Sequence, residues 1–146
     1  MKRLATYITL LVAVLCVAGC SHNNGDIGYW FGLWHLDSIE IDGTTDTEYD
    51  GNTYFMFQGK VFGIRCVDEV NHSSTDSFAQ WQESDDHQAM TLTFVDSRFA
   101  PTISSHVPLE AVTTFTVVTL TDKDMVLQHT FSTTGTVRTY HLTHWE

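Results

Sequence analysis

Apolar residues alternate with polar ones along most of this chain, with a period of two residues. The alternation begins at Trp34 and Leu36 and resumes at Ile39 after a one-residue change of phase. A period of two places successive apolar side chains on one face of a β-strand, and the change of phase indicates a β-bulge. Residues 29–42 therefore predict a first strand, which ends at Gly43.

The same alternation predicts seven further strands, separated by polar or glycine-containing turns. Gly59 marks a tight hairpin between the second and third strands. Residues 68–77 and 96–111 are predicted as loops, and the second of these loops contains both prolines. The further strands are predicted at residues 52–58, 60–67, 78–83, 87–95, 112–120, 125–133 and 136–145.

These elements indicate an all-β fold. No stretch after residue 19 has the capped, 3.6-residue periodicity of an amphipathic helix. Short strands joined mostly by tight turns favour an antiparallel up-and-down sheet that closes on itself and so has no free edges. The sequence therefore predicts an eight-stranded antiparallel β-barrel. A β-sandwich is the alternative, but it needs longer crossover connections than most of those present.

The first 19 residues differ in character from the rest. Lys2 and Arg3 precede an apolar stretch of about fourteen residues, fewer than the roughly 20 that a membrane-spanning helix needs. Small residues then precede Cys20, and this junction resembles the lipobox of bacterial lipoproteins. The resemblance implies that residues 1–19 are a lipoprotein signal peptide and that Cys20 is lipidated. An ordinary cleavage site beside an incidental cysteine is the alternative.

The residues after this junction indicate how the domain is attached. Ser21, rather than aspartate, follows Cys20, and the resemblance then implies delivery to the outer membrane, on its periplasmic face or at the cell surface. Residues 20–27 form a short, polar, lipidated tether, and residues 28–146 form the folded domain. The lipid is the only membrane contact that the sequence predicts.

Charge and cysteine content narrow the range of partners. Loss of Lys2 and Arg3 leaves five basic residues against 18 acidic ones, so the mature chain has a formal charge of −13. This charge disfavours nucleic acid and anionic lipid surfaces and favours a basic protein or cationic ligand, although an acidic surface that only keeps the protein soluble is the commoner explanation. Cys66 is left without a disulfide partner. Its position in phase with Phe62 indicates a core residue rather than a reactive thiol.

No catalytic or metal-binding motif is complete in the sequence. Asp46, Glu48 and Asp50 resemble the start of a calcium loop, but Phe57 stands where the bidentate glutamate belongs. None of the eight histidines belongs to a zinc-binding motif, and no serine lies in a nucleophile elbow. We therefore expect neither an enzyme nor a cofactor or metal.

Three features resemble the lipocalin and calycin superfamily, in particular its small lipocalin-like bacterial lipoproteins. They are Gly32 and Trp34 in a Gly-x-Trp motif at the start of the first strand, a short hairpin at residues 120–127, and Arg138 in the last strand. The resemblance implies that Trp34 lies at the closed end of the barrel and stacks against Arg138 as a cation–π pair. Gly32, Trp34 and Arg138 are then structural residues.

The resemblance also implies a function, because the barrel interior is the usual binding site in this superfamily. An eight-stranded barrel is just wide enough for one small ligand, so we expect it to bind an apolar or amphipathic molecule. The side chains expected to line the site are Phe55, Phe57, Phe62, Met90, Leu92, Phe94 and Phe115.

Two alternatives remain open at this point. In the alternative to ligand binding, the seven side chains only fill a core. The protein is then a non-enzymatic interaction module, such as an inhibitor or an accessory subunit of an envelope complex. Acidic loops at residues 46–50 and 83–86 would bind its partner.

Overall fold

The structure is a computed structural model that describes residues 27–95 and 107–145. A 3-10 turn, Gly28–Trp30, precedes the strands. Within the described ranges, no helix is both long and apolar enough to cross a membrane. The strands are β1 (Gly32–Ile41), β2 (Thr44–Thr45), β3 (Thr53–Gln58), β4 (Val61–Asp68), β5 (Ser73–Glu83), β6 (Ala89–Phe94), β7 (Val112–Leu120), β8 (Asp124–Thr130) and β9 (Val137–His144).

Eight of these strands close into a barrel. Each strand from β3 to β8 pairs antiparallel with the next, and β1 pairs with both β3 and β9. The two-residue β2 only folds back on the end of β1. The predicted eight-stranded antiparallel barrel is therefore confirmed.

The first strand contains the predicted change of phase. A β-bulge between Leu36 and Ser38 shifts the register of β1 against β9. The bulge lets Leu36 and Ile39, which are three residues apart, both point into the core with no exposed surface. The hairpin predicted at Gly59 joins β3 to β4.

The two ends of the barrel differ. At the N-terminal end, β1 begins and short turns join β3 to β4, β5 to β6 and β7 to β8. At the loop end lie the connections from β1 to β3, β4 to β5, β6 to β7 and β8 to β9. Alternate residues of all eight barrel strands point into the interior and form the core.

Several predicted strand boundaries differ from the observed ones, and the largest difference is at the start of β5. The loop predicted over residues 68–77 ends early, because β5 begins at Ser73 rather than at Phe78. Residues 73–77 pair with β4 although all five are polar. Backbone pairing does not require apolar side chains, so apolar alternation could not reveal this part of the strand.

Candidate functional site

All seven side chains predicted to line a ligand site lie inside the barrel. Phe94 is 7% exposed, and the other six are at most 1% exposed. Their orientation follows from the pleat of the strands, which sends every second residue inward. Whether they contact a ligand stays a prediction.

The aromatic rings of this group contact one another. The Phe62 ring centroid lies 5.2 Å from that of Phe55 and 5.1 Å from that of Phe57. The Tyr140 centroid lies 5.4 Å from Phe115 and 6.4 Å from Phe55. Most of these contacts are edge-to-face, which favours mutual packing of rings. In this structure the inward side chains therefore pack as a core.

Trp30 and Trp34 close the N-terminal end. Trp34 is fully buried, and its indole Nε1 donates to the Trp30 carbonyl oxygen at 3.1 Å. The Trp30 ring packs against Phe57 and Trp81, with centroids 5.1 and 5.4 Å apart. Its Nε1 donates to the Glu83 carboxylate at 3.0 Å. These contacts fix the 3-10 turn across this end of the barrel.

Gly32 is required for both backbone and steric reasons. Its φ is +127°, a conformation that residues with side chains rarely adopt, and a Cβ there would collide with the imidazole of His144. The His144 ring packs edge-on against Trp34, with centroids 4.9 Å apart. The Gly-x-Trp motif thus makes room for a histidine from the last strand.

The predicted stacking of Arg138 on Trp34 is wrong. In the β1–β9 pairing, His144 lies opposite Trp34, whereas Arg138 lies opposite Ile41 near the loop end. Trp34 and Ile41 are seven residues apart on β1, or about 20 Å of extended strand. The Arg138 guanidinium lies over the Phe131 ring, 5.5 Å from its centroid. The antiparallel register places Arg138 far from Trp34, because the last residues of β9 pair with the first residues of β1.

Residues 107–110 close part of the loop end. Val107 has no exposed surface, Leu109 is 7% exposed, and both belong to the core of the barrel. The Tyr140 hydroxyl donates to the Pro108 carbonyl oxygen at 3.3 Å. Burial raises the pKa of the Tyr140 phenol. A connection between strands, rather than a strand, therefore supplies the last layer of the core.

The carboxylate of Glu110 is held at both of its oxygens. Oε2 lies 3.0 Å from Nε2 of His129, and Oε1 accepts a hydrogen bond of 2.6 Å from the Ser132 hydroxyl. Nδ1 of His129 faces the Thr114 carbonyl oxygen at 2.8 Å. A carbonyl and a carboxylate only accept hydrogen bonds, so a ring nitrogen that carries a hydrogen donates it to the oxygen that it faces. The hydrogen bond from Ser132, and then that from His129, lower the pKa of Glu110.

We expect Glu110→Gln to make the protein less sensitive to acid. The pKa of Glu110 is lower in the folded protein than in the unfolded chain. The carboxylate therefore adds stability above the unfolded pKa, and this stability is lost as the pH falls through the folded pKa. Between about pH 5 and pH 3, the free energy of unfolding should fall more steeply for the wild type than for Glu110→Gln.

Urea unfolding at a series of pH values measures this difference. Glu69→Gln is the matched control, because it removes an exposed carboxylate from the β4–β5 turn. This control should keep the wild-type pH profile. Parallel profiles for wild type and Glu110→Gln would show that the Glu110 carboxylate adds no stability.

The polar side chains buried in the described strands lie in the half of the barrel nearer the loop end. They are Thr53, Ser77, Thr113 and His129, and none is more than 5% exposed. The Ser77 hydroxyl has no hydrogen-bond partner within the described residues. Leaving such a group unsatisfied costs about 1–3 kcal/mol. A polar atom of a bound molecule would therefore be stabilised beside it.

A surface cleft of about 530 Å³ lies at the N-terminal end. The 3-10 turn, the turn after β5 and the end of β7 form its walls. Glu83 lines the cleft, and Nδ1 of His87 lies 3.1 Å from its Oε1. None of the seven predicted side chains lines it. Sequence reasoning missed the cleft because its walls come from three distant segments.

The contacts of Cys66 and of the acidic loop at residues 46–50 are those of structural residues, not of a reactive thiol or a metal site. The Cys66 Sγ lies 3.6 Å from the Thr53 hydroxyl oxygen, and burial raises the pKa of the thiol, which leaves less of the reactive thiolate. Asp46 and Asp50 accept hydrogen bonds from backbone amides two residues further on, as in turns. Across the described ranges, no three His, Cys, Asp or Glu side chains are grouped to hold a metal ion.

Several predictions concern residues outside the described ranges. They are the signal peptide, Cys20, all but the last residue of the tether, and residues 96–106 of the second predicted loop.

Comparison with known proteins places the chain among small β-barrels. A family model described as a lipocalin-like domain matches residues 14–135. No protein of curated function matches the sequence. An uncharacterised protein from Bacteroides eggerthii is 18% identical, with a TM-score of 0.62 over 80% of this chain and 99% of that one. A lipocalin-like protein from Bacteroides uniformis is 16% identical, with a TM-score of 0.64 over 81% and 100%. At these identities the two structures support the fold alone.

Proposed function

Because the chain belongs to the lipocalin-like domain family, we propose that it is an outer-membrane-anchored lipoprotein that binds a small apolar or amphipathic molecule inside its barrel. Barrels of eight strands have room for one small ligand. The lipocalin fold generally serves binding rather than catalysis. The proposal therefore includes no reaction and no cofactor.

This proposal rests on the uneven distribution of polar side chains in the barrel interior. A core with only a structural role is most stable when its inward side chains are apolar, whereas a ligand site combines apolar walls with a few polar groups. Here the N-terminal half is lined by aromatic and aliphatic side chains, and buried polar side chains gather towards the loop end. The unpaired Ser77 hydroxyl, opposite Ile64 of β4, is the clearest of these groups.

The proposed anchor agrees with the place where the chain enters the folded domain. Ile27 directly precedes the 3-10 turn at the N-terminal end. The eight residues from Cys20 to Ile27 are joined by seven peptide units, which span at most about 25 Å. An anchored protein would therefore hold its N-terminal end towards the membrane and its loop end away from it.

We expect the protein without its lipid to bind one apolar or amphipathic molecule per chain. A panel of fatty acids, retinoids and bile-acid-like amphiphiles tests this, with native mass spectrometry for stoichiometry and tryptophan quenching for affinity. Ligands in the interior should quench the indole fluorescence, because Trp30 and Trp34 are part of the core. If no member of the panel binds, the interior is only a filled core and the proposal is wrong.

One observation favours the interaction module as a second candidate. The inward rings already contact one another, so the barrel can act as a solid scaffold for its surface. If the panel does not bind while a basic envelope or host protein does, the acidic residues 46–50 and 83–86 become the ones to substitute.

A further inference from the structure

We propose that the ligand of the barrel is an amphiphile with an anionic head, and that residues 107–110 occupy its site in this structure as a built-in surrogate. This inference rests on the proposed binding of a small molecule in the barrel. It adds the chemistry of the ligand and the group that the ligand must displace.

The apolar part of the surrogate is Val107 and Leu109. Both side chains are buried in the same core as the strands, although they belong to the connection between β6 and β7. Their removal from the interior breaks no pairing between strands of the barrel. It exposes apolar surface at the loop end, which the apolar chain of a ligand can cover instead.

The anionic part of the surrogate is the carboxylate of Glu110. His129 lies at an inward position of β8, in phase with Leu127, and is 5% exposed. Its Nε2 and the Ser132 hydroxyl each contact one oxygen of the carboxylate, at 3.0 and 2.6 Å. Two donors directed at the two oxygens of one carboxylate form a site that any carboxylate of suitable reach can occupy.

A cationic side chain stands beside this site and has no carboxylate partner among the described residues. Arg138 lies directly opposite His129 in the β8–β9 pairing. Its guanidinium packs over Phe131, and among the described residues no carboxylate lies within ion-pair distance of it. In a chain with so many more acidic than basic residues, an arginine without a carboxylate partner in the described part of the chain is unexpected. It makes the mouth of the barrel locally favourable for an anion.

The test compares three probes with the same twelve-carbon chain and different heads: dodecanoate, dodecanol and dodecyltrimethylammonium. We expect dodecanoate to bind at least about tenfold more tightly than dodecanol. Hydrogen bonds to an ionised carboxylate are stronger than those to a neutral hydroxyl. The trimethylammonium probe should bind most weakly.

Substitution of the surrogate gives the sharper result. Glu110→Ala should tighten dodecanoate binding by about tenfold, because the ligand no longer competes with an internal carboxylate. Glu69→Ala, which removes an exposed carboxylate, should leave the affinity unchanged. His129→Gln should reduce the ratio of dodecanoate affinity to dodecanol affinity. Glu110→Gln provides the same comparison if the alanine variant does not fold.

The outcomes separate this inference from the function on which it rests. If none of the three probes binds, in wild type or in Glu110→Ala, both the barrel ligand and the surrogate are wrong. If dodecanol binds as tightly as dodecanoate, and Glu110→Ala changes neither affinity, the barrel binds small molecules but Glu110 is only a structural latch. Tightest binding of the trimethylammonium probe would also overturn the anionic head.

Discussion

Trp34→Ala is expected to destabilise the protein by about 3–5 kcal/mol. The Trp34 side chain has no exposed surface, packs edge-on against His144 and donates its indole hydrogen to the Trp30 carbonyl oxygen. The substitution leaves a cavity in the core and removes the contact that holds the 3-10 turn across the N-terminal end. Urea unfolding followed by circular dichroism measures the loss.

Trp145→Ala is the matched control for this result. Trp145 follows β9, is 54% exposed and contacts the rings of His35 and Tyr54 on the outside of the barrel. Its substitution should cost no more than about 1 kcal/mol. Equal losses for the two variants would show that closure of the N-terminal end contributes no special stability.

Cys20→Ser is expected to move the protein completely from the membrane fraction to the soluble fraction. Only the thiol can take the thioether-linked diacylglycerol, and no other membrane contact is proposed for the chain. Metabolic labelling with palmitate and cell fractionation measure the effect.

Cys66→Ser is the control for the anchor, because Cys66 lies in β4 inside the folded domain. This variant should stay acylated and membrane-bound. If the wild-type protein takes no acyl label, the lipoprotein proposal is wrong.

The sequence was sufficient to predict the barrel, the bulge and the inward side chains. Each of these depends on local periodicity, which the alternation of apolar residues records directly. The seven predicted inward side chains come from four strands, β3, β4, β6 and β7, and a period of two fixes which face of each strand is buried. The change of phase between Leu36 and Ile39 identified the bulge in the same way.

The contacts at the two ends could not be predicted, because they depend on how distant strands are aligned. Arg138 was assigned to Trp34 from the family resemblance, whereas the β1–β9 register brings His144 there. Glu110 and His129 are 19 residues apart, and only the β7–β8 hairpin and the connection before it bring them together. No periodicity marks such a pair.

The central claim is that the interior of the barrel, rather than its outer surface, binds the ligand. The methionines after residue 20 provide a direct test: Met90 and Met125 are fully buried in the core, whereas Met56 lies on the outer face over Gly63. In protein labelled with ¹³C at its methionine methyl groups and saturated with dodecanoate, NMR should detect nuclear Overhauser effects from the ligand chain to Met90 or Met125. None should reach Met56. Effects to Met56 alone would contradict the claim.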